Sequence, residues 1–368
     1  VSTTPTAPAP RRGLARGPLP VLGAALLWGT TGTAASFAPA GAHPAAIGSA
    51  GLAVGGLLLL FTGRGYPALL HGADRRTRGA LALGALAVAG YPLAFYPAVA
   101  QAGVAVATVI TLGSAPVFAG LLAWLSEGVR PGCRWSAATL AAVAGCTLLV
   151  LGAEGGDGAR TVDTSGVLLA LAAGASYALY AVVSAAQIRR GHPSGAVMGV
   201  LFAGGGLVTA PVVLALDPVW LATGRGAAVA LYLALFTVFL AYTLFGVGLR
   251  HTPAATATTL SLAEPAVAAL LGVSVVGERL SPAAWTGMAV LALGLAVLRT
   301  PSGRRPGRTR RNHRTEAGTR APPAPRAGAD TPPPGHPPAT PPPQGARSGS
   351  ALAASPGIAG HPSYSQLG

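Results

Sequence analysis

The chain has 368 residues, of which 51% are hydrophobic and only 10% charged, whereas a water-soluble domain carries about 25% charged residues to clothe its surface; lipid must be the solvent for most of it. All twenty-five basic residues are arginine and outnumber ten acidic ones, but they fall between apolar runs and in the C-terminal region, a pattern that fits membrane topology and not nucleic-acid binding. Two cysteines, Cys133 and Cys146, and seven scattered histidines offer neither a disulfide framework nor a metal cluster, and no cofactor motif is present.

A helix needs about 20 apolar residues to bridge the hydrocarbon core, because lipid supplies no partner for an unpaired backbone group. This length predicts an all-α membrane protein of about ten transmembrane helices. After an N-terminal arm (1–17) with Arg11, Arg12 and Arg16, the first segment covers 18–38. It resembles a secretory signal but has a counterpart later in the chain, so it is expected to be retained as a helix. Trp28 lies midway along it, beside Thr30 and Thr31. The second segment, 44–62, is rich in glycine, and its Gly51-x-x-x-Gly55 spacing permits close helix approach inside the bundle or in a homodimer. Further segments are predicted at 80–100, 103–125 and 134–152. Pro116, in the fourth, removes a backbone donor and predicts a kink.

A linker, 153–164, carries Glu154, Asp157 and Asp163. The sixth segment, 165–187, then places Tyr177 midway with Ser176 and Tyr180, and the seventh, 195–216, repeats the glycine-rich character with Gly199 and Gly204 to Gly206. Segments at 227–249, 252–275 and 282–299 complete the set. Trp124, Trp135 and Trp285 stand at helix ends, as interfacial anchors do. From residue 300 to 368 the composition turns to Arg, Pro, Gly, Ser and Thr, which cannot bury enough apolar surface to offset its ordering entropy. A disordered tail is predicted, and its basic cluster from Arg304 to Arg314 is placed to meet anionic lipid headgroups or to anchor topology.

Sliding the chain on itself by 149 residues aligns Trp28 with Tyr177, Pro116 with Pro265, Gly128 with Gly277, Arg130 with Arg279 and Gly145 with Gly294. The predicted units are two five-helix repeats, 18–152 and 165–299. Five is odd, so the second copy enters the membrane upside down. Inverted pairs of this kind in secondary carriers surround a midplane site and alternate its access. With the N-terminus inside, twelve arginines before residue 299 fall on the cytoplasmic side and three, Arg160, Arg225 and Arg279, outside. Both termini are then cytoplasmic.

Glu264 is the sharpest single feature. It lies near the middle of the ninth segment, where a charged residue costs about 2.5–3.5 kcal/mol unless it faces protein, water or a partner, and no basic residue lies at comparable depth. It is therefore expected to be protonated or to face a cavity, as a proton-coupling or cation-binding carboxylate, or else to be a packing acid bonded to a neighbouring helix. Its repeat mate is Ala115, so only one half carries it. A kink at Pro265 would free a backbone carbonyl beside it. Trp28, Thr31, Tyr177, Tyr180 and Ser261 are candidates for the lining of a central cavity, with ordinary helix packing as the alternative. No phosphate-binding loop, nucleophile elbow or His-Glu-x-x-His is present, which argues against ATP-driven transport and against an enzyme.

The run Leu262-Ala263-Glu264-Pro265 through Gly277-Glu278-Arg279-Leu280-Ser281 resembles the C-terminal signature of the EamA branch of the drug/metabolite transporter superfamily. The first copy is degenerate, with Ala115-Pro116 and Gly128-Val129-Arg130 at the matching places. The resemblance spans about residues 18–299 and implies a secondary carrier exporting a small metabolite, such as an amino acid or related compound. A protein of another class, a membrane scaffold or sensor whose basic tail binds lipid or a partner, is the alternative. The Glu278–Arg279 pair reads as a helix-joining ion pair or cap and not as a site.

Overall fold

The computed structural model describes residues 17–128, 130–153, 163–276 and 280–299, and every regular element among them is helical. The N-terminal arm, Glu154 and Asp157, the Glu278–Arg279 turn and the tail lie outside the described residues. In chain order the helices are α1 (Pro18–Gly29), α2 (Thr31–Ser36), α3 (Pro44–Thr62), α4 (Tyr66–Gly72), α5 (Arg75–Ala102), α6 (Val104–Glu127) and α7 (Cys133–Ala153), then α8 (Thr164–Arg189), α9 (Ser194–Ala215), α10 (Gly224–Leu249), α11 (Ala254–Leu260), α12 (Ala263–Leu271) and α13 (Pro282–Arg299).

Eight of these spans are long and apolar enough to cross a membrane: α3, α5 to α10, and the α11–α12 run through Val275. The two remaining predicted segments differ. The first is interrupted at Thr30, whose hydroxyl and amide both turn back onto the Leu27 carbonyl, a local bond that competes with the helical ladder. The last, α13, is apolar but shorter. The third is longer than predicted because Asp74 caps it a full turn before the apolar run begins: its carboxylate accepts the Thr77 amide at 2.8 Å. Gly103, at φ 85°, ends α5 and starts α6 in a single residue, a left-handed conformation that suits glycine.

Equivalent helices of the two halves lie side by side and run antiparallel. Along α3 and α9, Gly63 meets Gly195, Gly199 meets Leu59 and Leu60, Gly56 meets Phe202, and Gly206 meets Leu52 and Ala53. Along α7 and α13, Gly145 meets Leu291 and Gly287, while Gly294 meets Ala142 and Ala138. The last four partners are related by the 149-residue offset, so the sequence repeat is also a repeat of contacts. The same exchange holds elsewhere: α5 packs on α8 as α10 packs on α1, and α6 packs on α8 as the α11–α12 run packs on α1. The Gly51-x-x-x-Gly55 motif serves the bundle. A Cβ on Gly55 would come within 2.5 Å of the Val238 Cβ, and one on Gly51 within 3.1 Å of the Leu233 Cβ; this face is already filled by α10 and leaves no room for a second copy.

The Asp74 cap gives a pH-dependent term. Its bonds to Thr77, then the nearby Arg190 and Arg76 charges, hold its carboxyl below the ordinary value of 3.8. A depressed folded-state value contributes stability above the ordinary value and loses it as pH falls through the depressed one. Asn caps as well as Asp but does not titrate. Asp74→Asn should therefore flatten the acid limb of thermal unfolding below about pH 4, leaving the neutral-pH midpoint little changed.

Candidate functional site

The ninth predicted segment breaks at Ser261–Leu262, and the break organises the site. A proline at 265 cannot donate to the carbonyl four residues back and its ring crowds it, so α11 stops at Leu260 and α12 starts at Ala263 with Pro265 in its first turn. The expected free carbonyl is absent. It would be that of Ser261, and the Glu264 amide bonds it at 2.9 Å. Glu264 itself stands in the first turn of α12, where the helix dipole favours a negative group. Pro116, the counterpart of Pro265, sits inside an unbroken α6, so the predicted kink there produces no interruption. The two halves diverge at this point.

Glu264 opens onto a cavity of about 170 Å³ lined from both halves, by α1, α2, α3, α5 and α6 on one side and by α8, α9, α10 and α12 on the other. Of the sequence candidates, Trp28, Thr31, Tyr177, Tyr180 and Glu264 line it. Ser261 stands behind the wall: the Tyr177 hydroxyl donates to its Oγ at 2.7 Å, and Ser261 in turn donates to the Thr258 carbonyl at 2.8 Å. The Trp28 indole donates to the Thr237 carbonyl at 3.0 Å. That carbonyl lies in a π-helical stretch of α10, Leu233–Leu240, and such wider turns recur at functional sites.

Below Trp28 and Tyr177 the rings close into a layer. Phe202 and Tyr242 lie 3.8 Å apart between centroids, Trp28 and Tyr242 4.9 Å, and the Tyr180 and Tyr242 hydroxyls share a bond of 3.1 Å. Sequence reasoning found Trp28 and Tyr177 through their offset but missed Tyr91, Phe202 and Tyr242. For Tyr91 the signal available was the cluster of Tyr91, Phe95 and Tyr96 on the third segment; Phe202 and Tyr242, on the seventh and eighth, take their role from rings on other helices. On the far side of this layer along α8 and α10, a second cleft of about 520 Å³ is lined by Arg130, Arg189, Arg250 and His251. Of the tryptophans read as anchors, Trp124 and Trp285 are exposed on the outer surface, while Trp135 packs its ring onto Gly120.

The family model described as the EamA-like transporter family matches twice, over residues 15–151 and 164–300. A Bacillus subtilis (strain 168) protein called "Uncharacterized transporter YwfM" is 42% identical over 283 residues, which is 76% of this chain and 92% of the relative. A solved crystal structure shares the fold with a TM-score of 0.63 at 22% identity, covering 77% of this chain and 98% of that one.

Proposed function

The chain belongs to the EamA-like transporter family, a multi-pass membrane protein handling a small-molecule solute, and from that premise we propose that it is a proton-coupled secondary carrier exporting a small metabolite across the cell membrane. The interrupted α1–α2 segment and α13 complete ten crossings in this reading, as two inverted repeats, 18–152 and 165–299. The arm before residue 18 and the tail after residue 299 are cytoplasmic, and the tail's arginines meet anionic headgroups. The Arg-lined cleft is then the inner vestibule, and the aromatic cavity faces outward. Glu264 is the coupling carboxylate, with Trp28, Thr31, Tyr177 and Tyr180 as solute contacts, and Ser261 and Pro265 position them.

The observation that carries this reading is the cavity between the halves with one carboxylate in its wall, placed where a helix is broken. Half-helix ends at a midplane site are how carriers with inverted repeats present charge to a solute. The purified chain in proteoliposomes with an imposed pH gradient should move at least one solute of a small-metabolite panel at a rate that follows the gradient. Fluxes equal to those of protein-free vesicles for the whole panel would sink the carrier reading.

A further inference from the structure

We propose that the aromatic cavity selects small organic cations, protonated or quaternary amines, and rejects solutes that carry a free carboxylate. The inference deepens the carrier reading by naming its solute class, and rests on that reading for its physiological meaning.

The cavity sets aromatic rings and a single carboxylate among aliphatic residues such as Leu52, Val88 and Leu112. Its walls carry the rings of Trp28, Tyr91, Tyr177 and Tyr242, its one charged residue is Glu264, and no Arg or His lines it. The chain has no lysine at all. Several of the donors that could meet an anion are already engaged. The Trp28 N–H is held by the Thr237 carbonyl, the Tyr177 hydroxyl by Ser261, the Thr237 hydroxyl by the Leu233 carbonyl, and one hydrogen is shared by Tyr180 and Tyr242. The second hydrogen of the Tyr180–Tyr242 pair and the hydroxyls of Thr31, Tyr91 and Tyr96 are neutral groups that both donate and accept, and none carries a positive charge.

The broken helix adds no anion site either. The Glu264 amide is bonded to Ser261, Pro265 has no N–H, and the Glu264 side chain occupies the first turn of α12. A solute carboxylate would meet a like charge with no cation to offset it, whereas an ammonium would be attracted by the Glu264 carboxylate and by the negative face of any ring it packs on. The arginines Arg130 and Arg250 are exposed at the other cleft, where solvent and salt screen them beyond about 8–10 Å. A volume of about 170 Å³ compares with the ~150 Å³ that holds one benzene, so a solute of roughly six to eight non-hydrogen atoms fits.

The test is calorimetric titration of the purified full chain in detergent with three ligands of nearly one shape: choline, its neutral tert-butyl isostere dimethylbutanol, and glycine betaine, which adds a carboxylate. Choline should bind at least about tenfold more tightly than either, since a desolvated cation–π contact alone is worth that factor. Glu264→Gln should narrow the preference for choline over the alcohol by about tenfold. Equal binding of alcohol and choline, betaine binding as tightly as choline, or no binding by any of the three would overturn the inference. Binding in detergent does not depend on flux. Choline selectivity without gradient-driven flux keeps the cation site and sinks the carrier, and gradient-driven flux of a neutral or anionic solute alone keeps the carrier and sinks the cation site.

Discussion

Glu264→Gln should reduce pH-gradient-driven solute flux to the level of empty vesicles while the purified protein keeps its fold. Glutamine matches the shape of the acid and retains a hydrogen-bonding head, but it cannot hold and release a proton at any working pH. Glu264 is the only acid lining the cavity, and Ala115 stands at its repeat position, so no second carboxylate in the other half can substitute. The structural cost should be small. The favourable placement of a charge in the first turn of α12 is worth about 0.3–1 kcal/mol, well under the total stability of a folded bundle. Measuring flux with and without the gradient separates two outcomes. If downhill movement persists but no longer follows the gradient, Glu264 couples; if both rates match the wild type, it is a packing acid and the coupling role is lost.

What the sequence made legible depends on how local the cause was. The depth of Glu264 could be read from segment length alone, because the cost of an acid in hydrocarbon is a property of position. The pairing of Trp28 with Tyr177 followed from the 149-residue offset, and the structure brings both rings to one cavity, 6.4 Å apart between centroids. Tyr242 and Phe202 were not legible. An aromatic residue in an apolar helix shows its role only once a neighbouring helix supplies the facing ring, and that pairing is set by packing between halves. The interruption at Thr30 was missed because segment length was counted across Gly29-Thr30-Thr31-Gly32-Thr33; the bond from the Thr30 hydroxyl to the Leu27 carbonyl is a local event that hydropathy does not register. Pro116 and Pro265 show the converse. Two prolines at matching positions gave one broken helix and one continuous one, so the residue type allowed a break and the surrounding contacts decided it. The same holds for Gly51 and Gly55, whose spacing announced a close contact without naming α10 as the partner.

Gly287→Leu should destabilise the bundle by about 3 kcal/mol or more, the upper end of what overpacking costs, because the substituted side chain would have to enter another helix's backbone. A Cβ at Gly287 falls 2.3 Å from the Leu149 amide nitrogen and 2.7 Å from the Gly145 carbonyl oxygen, and one at Gly145 falls 2.3 Å from the Leu291 nitrogen. Neither obstacle is a flexible side chain, so relief requires α7 and α13 to part along their length, and Gly152 and Gly294 show the same backbone proximity at either end. In lipid the attraction between these helices is packing itself, since tails are as apolar as leucine. Separating them therefore removes the contact without a compensating hydrophobic term. Gly145→Leu should cost a similar amount through the same seam, and Gly79→Ala, where a Cβ meets nothing within 4 Å on an exposed face of α5, should be neutral or slightly stabilising by helix propensity. Thermal unfolding of the three variants in detergent ranks them. If Gly287→Leu unfolds with the midpoint of Gly79→Ala, α7 and α13 are not in backbone contact. The antiparallel pairing of equivalent helices would then lose one of its two seams, leaving α3 against α9 alongside the contacts of α5 and α6 on α8 and of α10 on α1.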